Sequence, residues 1–284
     1  MNKSKSIQIH PESFNDTQER FAFGKNWANF LTHLTEERIQ EAQKSLQEKL
    51  GVTDLKGKVF LDIGSGSGLF SLAAYNLGAE KVYSFDYDQD SVACTKYLKN
   101  QYAQGASHWS VEQGSVLDAE FLKKFGTVDI VYSWGVLHHT GHMYQAFENV
   151  SKLVKDNGQL FISIYNDQGG ASRRWKKIKS TYNQVGKFNK FSLSMYTLFR
   201  QWTITFVKDF LKYGNPLKSW LNYAYNNRGM SAWHDVVDWV GGYPFEVAKP
   251  EEVFNFFQEK GFMLRQLKTC AGGVGCNEFV FLKK

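Results

Sequence analysis

The stretch Val59-Phe60-Leu61-Asp62-Ile63-Gly64-Ser65-Gly66-Ser67-Gly68 decides the fold. A short apolar strand, expected over 58–63, runs into a Gly/Ser turn, and a helix is expected over 69–77 with Gly78 as its stop. A strand that feeds a glycine turn into a helix lets a ligand approach the backbone, because no Cβ stands in the way. Working outward, the same alternation repeats. Upstream, a helix is predicted over 35–50, with Ile39, Ala42, Leu46 and Leu50 on one face and Gly51 as its end. Downstream, strands are predicted over 81–85, 108–112, 128–133 and 159–165. Helices separate them over 91–102, N-capped by Asp90, and over 143–154, ahead of a turn at Asn157-Gly158. Strands alternating with helices give an α/β fold, a parallel sheet with helices on both faces. The pattern then breaks: residues 168 to about 246 hold no strand signal. Pro250 reopens it with a helix over 253–260, and strands over 262–268 and 278–282 read as an antiparallel hairpin.

The ligand class follows from two acids. Asp86 ends the second strand about 20 residues beyond the turn, where a carboxylate accepts hydrogen bonds from ribose hydroxyls. The glycines run Gly-x-Gly-x-Gly, and Leu69 occupies the slot where dinucleotide-binding turns carry their third glycine. Asp62, just before the turn, would repel a pyrophosphate but suits the ammonium of a methionine moiety.

With those residues the chain resembles the class I S-adenosylmethionine-dependent methyltransferases, over roughly 58–166 and in outline over 250–284. The resemblance implies a Rossmann-like sheet, mostly parallel with an antiparallel C-terminal hairpin, plus a helical insertion after the fifth strand. The expected division is an N-terminal helical cap over 1–56, a cofactor-binding core over 57–166, a helical basic and aromatic lid over 167–248, and a C-terminal helix and hairpin over 249–284. It implies S-adenosylmethionine as cofactor. Asp62, Gly64, Ser65, Gly66 and Gly68 surround its methionine part, Asp86 holds the ribose, and Tyr87 packs on the adenine. Gly114-Ser115-Val116 flanks the adenine, with Ser115 where the family often holds Asp. Ser133 and Trp134 form the floor near the methyl donor. The run from Asp129 to His139 resembles the small-molecule branch that includes ubiquinone O-methyltransferases. It lacks the Asn/Asp-Pro-Pro-Tyr motif of enzymes that methylate base or amide nitrogens. It also lacks the cysteine of cytosine-5 chemistry.

Methyl transfer needs donor and acceptor held in line, water excluded and, for a hydroxyl acceptor, a base. The candidates are His138, His139 and His234. The plainer reading makes one of the adjacent pair a turn cap and the other a packed core residue. In Trp233-His234-Asp235-Val236-Val237-Asp238, a helix would place His234 and Asp238 on one face at i, i+4, as a dyad or as a solvated pair. No metal is expected.

The insertion carries the charge. Between Gln168 and Arg228 twelve lysines and arginines stand against one acid, Asp209, a net +11 in a chain of net +6. Such a field attracts phosphate, carboxylate or anionic lipid. Phe191, Met195, Phe199, Trp202, Phe206 and Phe210 form a stripe at helical spacing, read first as core packing and second as a lid that touches a membrane surface or lipid-linked substrate. The expected acceptor is a small anionic molecule, such as a sugar, a nucleotide-linked sugar or a lipid-linked intermediate. RNA ranks second, and a catalytically silent cofactor-binding protein third. Phe21 to Trp27 reads equally as a segment that closes the other side of the pocket and as an aromatic anchor for the first helix. The polar N-terminus shows no secretory signal, and no apolar run reaches membrane-spanning length. Cys94, Cys270 and Cys276 form no disulfide framework, so reduced thiols in a cytoplasmic protein are expected.

Overall fold

A computed structural model of the chain describes residues 23–32, 34–223, 232–273 and 275–284. Seven strands form one sheet: β1 (Val59–Ile63), β2 (Lys81–Asp86), β3 (Trp109–Gln113), β4 (Val128–Trp134), β5 (Val154–Tyr165), β6 (Phe262–Lys268) and β7 (Cys276–Lys283). Their order is β3-β2-β1-β4-β5-β7-β6. The first five pair in parallel, and β7 runs antiparallel to both β5 and β6. The order reverses between β1 and β4, so the carboxyl ends of those two strands open the crevice where ligands bind in such sheets.

Side chains alternate across each strand, and the two faces feed separate cores. On one face α2 (Glu36–Leu50), α3 (Leu69–Asn76) and α4 (Gln89–Tyr102) pack Ile39, Leu46, Leu72 and Leu98 against Phe60, Tyr132, Phe161 and Val280. On the other, α6 (Met143–Leu153) and α11 (Pro250–Glu259) bring Phe147, Val150 and Phe257 onto Leu61, Val131, Leu160 and Phe279. Each fully buried Phe or Leu stabilises the sandwich by about 1.5–3 kcal/mol. A short α5 (Ala119–Lys123) follows β3, and α1 (Gly24–Leu31) precedes α2.

Two boundaries differ from the sequence expectation. The fourth helix is capped by Asp88, whose carboxylate accepts the Asp90 N–H at 2.8 Å, so the helix starts at Gln89 and Asp90 lies inside its first turn. The aspartate before the first turn competes better than one within it, because only there does the side chain reach an unpaired helix N–H. Asn157 does adopt a left-handed φ of 61°, but it lies inside β5, opposite a register shift between Val128 and Ile130.

Between β5 and α11 the described residues are helical: α7 (Gly170–Gln184), α8 (Lys187–Tyr213), α9 (Lys218–Leu221) and α10 (Ala232–Gly241). The chain then returns to the sheet, where Ala248 donates to the Tyr165 carbonyl and Asp167 to the Ala248 carbonyl. No described helix is long and apolar enough to cross a membrane. The three cysteines are free.

Candidate functional site

The turn after β1 is held open by its glycines. Gly64, Gly66 and Gly68 have φ of 75°, 54° and 83°, a region that L side chains enter only with strain. A Cβ on Gly64 would collide with Val136. The turn is tied to its neighbours. Gly64 and Ser65 donate to the Phe85 carbonyl at 2.8 and 3.1 Å, the Ser65 and Thr95 hydroxyls meet at 2.9 Å, and Thr95 donates to the Gly66 carbonyl. Asp86 closes the ring: one carboxylate oxygen accepts the Gly66 N–H and the other the Asp88 N–H, both at 2.9 Å.

Asp62 lies beneath this turn, 2% exposed. It accepts the Ser71 hydroxyl at 2.5 Å, Ser71 meets Ser84 at 2.7 Å, and the Trp109 indole N–H donates to Ser84 at 2.8 Å. Trp109 and Asp62 fix the direction of that chain, with every proton pointing toward the carboxylate. Burial pushes the Asp62 carboxyl up to about 7, against the Ser71 bond and with the help of the Asp86 charge. Burial likewise lifts Asp86 to about 6, against its backbone N–H bonds. The neighbours acting on Asp62 are thus a hydroxyl and a second acid, neither a cation. The pair is an anionic cradle that a positively charged ligand would complete.

The remaining expected cofactor contacts line the same sheet end. Ser133 is buried and donates to the Ile63 carbonyl at 3.1 Å, clamping β4 to β1. Trp134, at the end of β4, donates its indole N–H to Glu278 at 3.1 Å. Ser115 accepts the Leu117 N–H, Val116 is buried, and Tyr87 is 58% exposed beside Asp86. Helix α1 crosses over the turn. A Cβ on Gly66 would come within 2.9 Å of the Trp27 ring, Gly24 donates to the Asp88 carboxylate, and the Phe23 ring lies 5.2 Å from His139. Phe23 and Trp27 therefore span the site from the glycine turn to the histidine pair.

His138 and His139 follow β4 in a single 3-10 turn, Leu137–His139. His138 is fully buried against the Tyr165 ring, 4.0 Å between centroids, and its Nε2 has no partner. Burial holds its pKa well below the usual imidazole value, with the positive neighbourhood of His139 and Lys179 adding to it. His139 places Nδ1 2.6 Å from the Pro244 carbonyl, which only accepts, so the proton sits on Nδ1 and Nε2 carries the lone pair. Burial pushes it down to about 3, against that carbonyl contact. His234 lies on α10, but its side chain is outside the described residues, so its dyad with Asp238 is not described either.

Two groups that the sequence reading did not single out complete this side. Lys179 of α7 is 0% exposed, its Nζ donating to the Trp239 carbonyl and lying 4.2 Å from the Trp239 ring centroid, 4.8 Å from Phe245 and 6.0 Å from Tyr165. Burial lowers it to about 7, with Asp238 opposing. The signal was present: Ser172, Trp175, Lys179 and Tyr182 share the buried face of α7, and a lysine in an apolar stripe is out of place there. Glu278 of β7 binds both Lys49 and Trp134; burial raises its pKa, but those two partners reverse the shift and leave it lowered. Nothing local marks it, because the contact depends on β7 pairing with β5. Around Lys179 the hydroxyl of Ser163 and the indole N–H of Trp239 are buried without partners, as is His138 Nε2. Tyr165, Trp175, Trp239 and Phe245 thus pack as one aromatic cluster around a buried amine. Among the described residues no cluster of three or more His, Cys, Asp or Glu is arranged to hold a metal.

A family profile described as a methyltransferase domain matches residues 34–202. The ribosomal protein L11 methyltransferase of Acinetobacter baylyi is 55% identical over 47 residues, 16% of each chain, so the match spans far less than the whole of that relative. Among solved structures, magnesium protoporphyrin IX methyltransferase from Synechocystis, crystallised with SAH bound, superposes with a TM-score of 0.54 at 12% identity, covering 92% of this chain and 94% of the other. An O-methyltransferase family protein from Burkholderia thailandensis gives 0.51 at 10% identity, covering 95% and 65%. The two structures share the fold with this chain. The varied acceptors in these names leave the acceptor to be argued from the site itself.

Proposed function

The chain belongs to the methyltransferase-domain family, and from that premise we propose that it transfers a methyl group from S-adenosylmethionine to the oxygen of a small anionic acceptor. The cofactor supplies an electrophilic methyl on a sulfonium. Asp62 and the glycine turn suit its ammonium and methionine backbone, Asp86 its ribose, and Tyr87 with Ser115 and Val116 its adenine. Trp27 and Phe23 exclude water from the same crevice.

The observation that carries the acceptor reading is the buried amine of Lys179 inside an aromatic cluster, with the Trp239 indole N–H and His138 Nε2 buried without partners beside it. Buried polar atoms without partners are costly unless something binds there. The amine offers a charge-assisted bond to a carboxylate or phosphate, and the aromatic neighbours favour a small or flat body. A hydroxyl acceptor also needs a base. His139 has the right tautomer, with its lone pair on Nε2, and takes that role in this reading; Lys179, protonated to hold the acceptor's anion, does not double as the base. His138 then serves as packing and as a polar wall. The test is a metabolite extract incubated with isotopically labelled S-adenosylmethionine and the protein, with products read by mass spectrometry. A labelled small acid or phosphate ester is expected; label appearing only on macromolecules would overturn the acceptor class.

A further inference from the structure

The stripe first read as core is divided by the fold. Trp202 is buried and packs with Ala232 and Val236 of α10, while Phe206 is partly buried beside it. The opposite side of α8 faces out. Tyr196, Phe199, Ile204, Val207, Phe210 and Leu211 are 41–79% exposed. At 100° per residue they fall within an arc of about 140°, and along the axis they cover about 22 Å. Meanwhile the residues of α8 that turn inward include Ser194, Thr197 and Asp209, so the amphipathic pattern is inverted relative to a helix that packs on a core.

The charges around this face have one sign. Arg200 rises from within the arc, and Lys208 lies about 40° beyond its edge; the one acid of the helix, Asp209, is buried and bound to the Ser219 backbone and hydroxyl. Long basic side chains beside an apolar face lie along it and carry their charge outward. A second copy of the same face would bring cation against cation. An anionic surface with an apolar interior matches both features.

We propose that α8 is an in-plane membrane-docking helix that lays its outer face on an anionic lipid surface. Because α8 packs through Trp202 onto α10, and α10 also carries Trp239, which packs against Lys179, docking would brace that contact. The proposal does not depend on the acceptor reading.

The full chain should co-float with vesicles of phosphatidylcholine and phosphatidylglycerol at 7:3, and at least tenfold less with phosphatidylcholine alone. Phe199→Glu/Leu211→Glu should lower binding to the mixed vesicles at least tenfold, and Arg200→Glu/Lys208→Glu should do the same. All the altered side chains are exposed, so the melting temperature should not fall; Ile204→Ser/Val207→Ser provides a second, milder apolar variant should either one misfold. No co-flotation of the wild type, equal binding to both vesicle types, or undiminished binding of the variants would overturn the proposal. So would a concentration-dependent dimer, or single-stranded RNA binding, that Phe199→Glu/Leu211→Glu abolishes while vesicle binding persists.

Discussion

The two sides of the site are built in opposite ways. On the side proposed for the cofactor, Asp62, the glycine turn and Asp86 come from β1, β2 and the turn between β1 and α3, within 25 residues of chain. Burial there pushes two carboxyls up, to about 7 and about 6. On the side proposed for the acceptor, His139 after β4, Tyr165 at the end of β5, Lys179 on α7 and Trp239 on α10 meet across some 100 residues. Burial there pushes an imidazole and an amine down. No cation faces the buried acids of the first side, and on the second Asp238 only partly offsets the burial of the amine. The contrast teaches that a zwitterionic donor and an anionic acceptor would each relieve the burden of the side they enter.

That contrast is most exposed to failure at Lys179. With the acceptor identified by the extract experiment, Lys179→Met should lower kcat/KM about 100-fold and leave cofactor affinity unchanged. That is about 2.7 kcal/mol of lost transition-state stabilisation. Thermal stability should hold or rise, because the variant replaces a buried amine by an apolar side chain of similar length. Unchanged kinetics would leave the amine as a structural oddity and merge the two sides into one.

Proton linkage gives the next effect. A raised carboxyl is protonated below its folded pKa and then offers no charge to an ammonium. Cofactor affinity should therefore climb as pH rises from 5 through about 7 and level off above it, by about tenfold in all. The same shifts mark the ligand-free protein: this pair stabilises it most below the ordinary aspartate pKa, and that contribution is lost as pH rises through 6 and 7. Calorimetric titrations across that range check the first statement and melting curves the second. A flat affinity profile would mean that Asp62 does not meet the cofactor's charge.

Trp27 covers the glycine turn without belonging to either side. Trp27→Ala should speed cofactor release several-fold in stopped-flow measurements, with little change in the chemical step; unchanged release would make α1 a mere brace. The smallest effect is expected at Ser133, where Ser133→Ala removes the bond to the Ile63 carbonyl and should cost about 1 kcal/mol in chemical denaturation. A loss indistinguishable from zero would show that the β1–β4 junction does not rely on it.

The same division explains what could be read from the sequence. Asp62 and Asp86 sit at the ends of strands whose apolar runs are unambiguous, and strand ends adjacent in a parallel sheet are adjacent in space. The antiparallel hairpin of β6 and β7 was legible for the same reason: its pattern is local. Lys179 carried only a faint local signal, a lysine at helical spacing with Trp175 and Tyr182, since its burial depends on how α7 meets α10 and the return segment at Phe245. The outward turn of Phe199 and Phe210 stood only as the second reading of the stripe, behind core packing. Helical spacing reports that residues share a face, not whether that face meets a core or solvent, and here Trp202 and Phe210 are separated by a modest rotation about one helix.

Everything about catalysis rests on a cofactor held between Asp62 and Asp86. The most direct measurement is calorimetric titration of S-adenosylmethionine into the wild type and Asp86→Ala at pH 7.5. Micromolar binding at one site, weakened at least tenfold in the variant, is the expected result. Equal affinity in the two proteins, with both correctly folded, would contradict it.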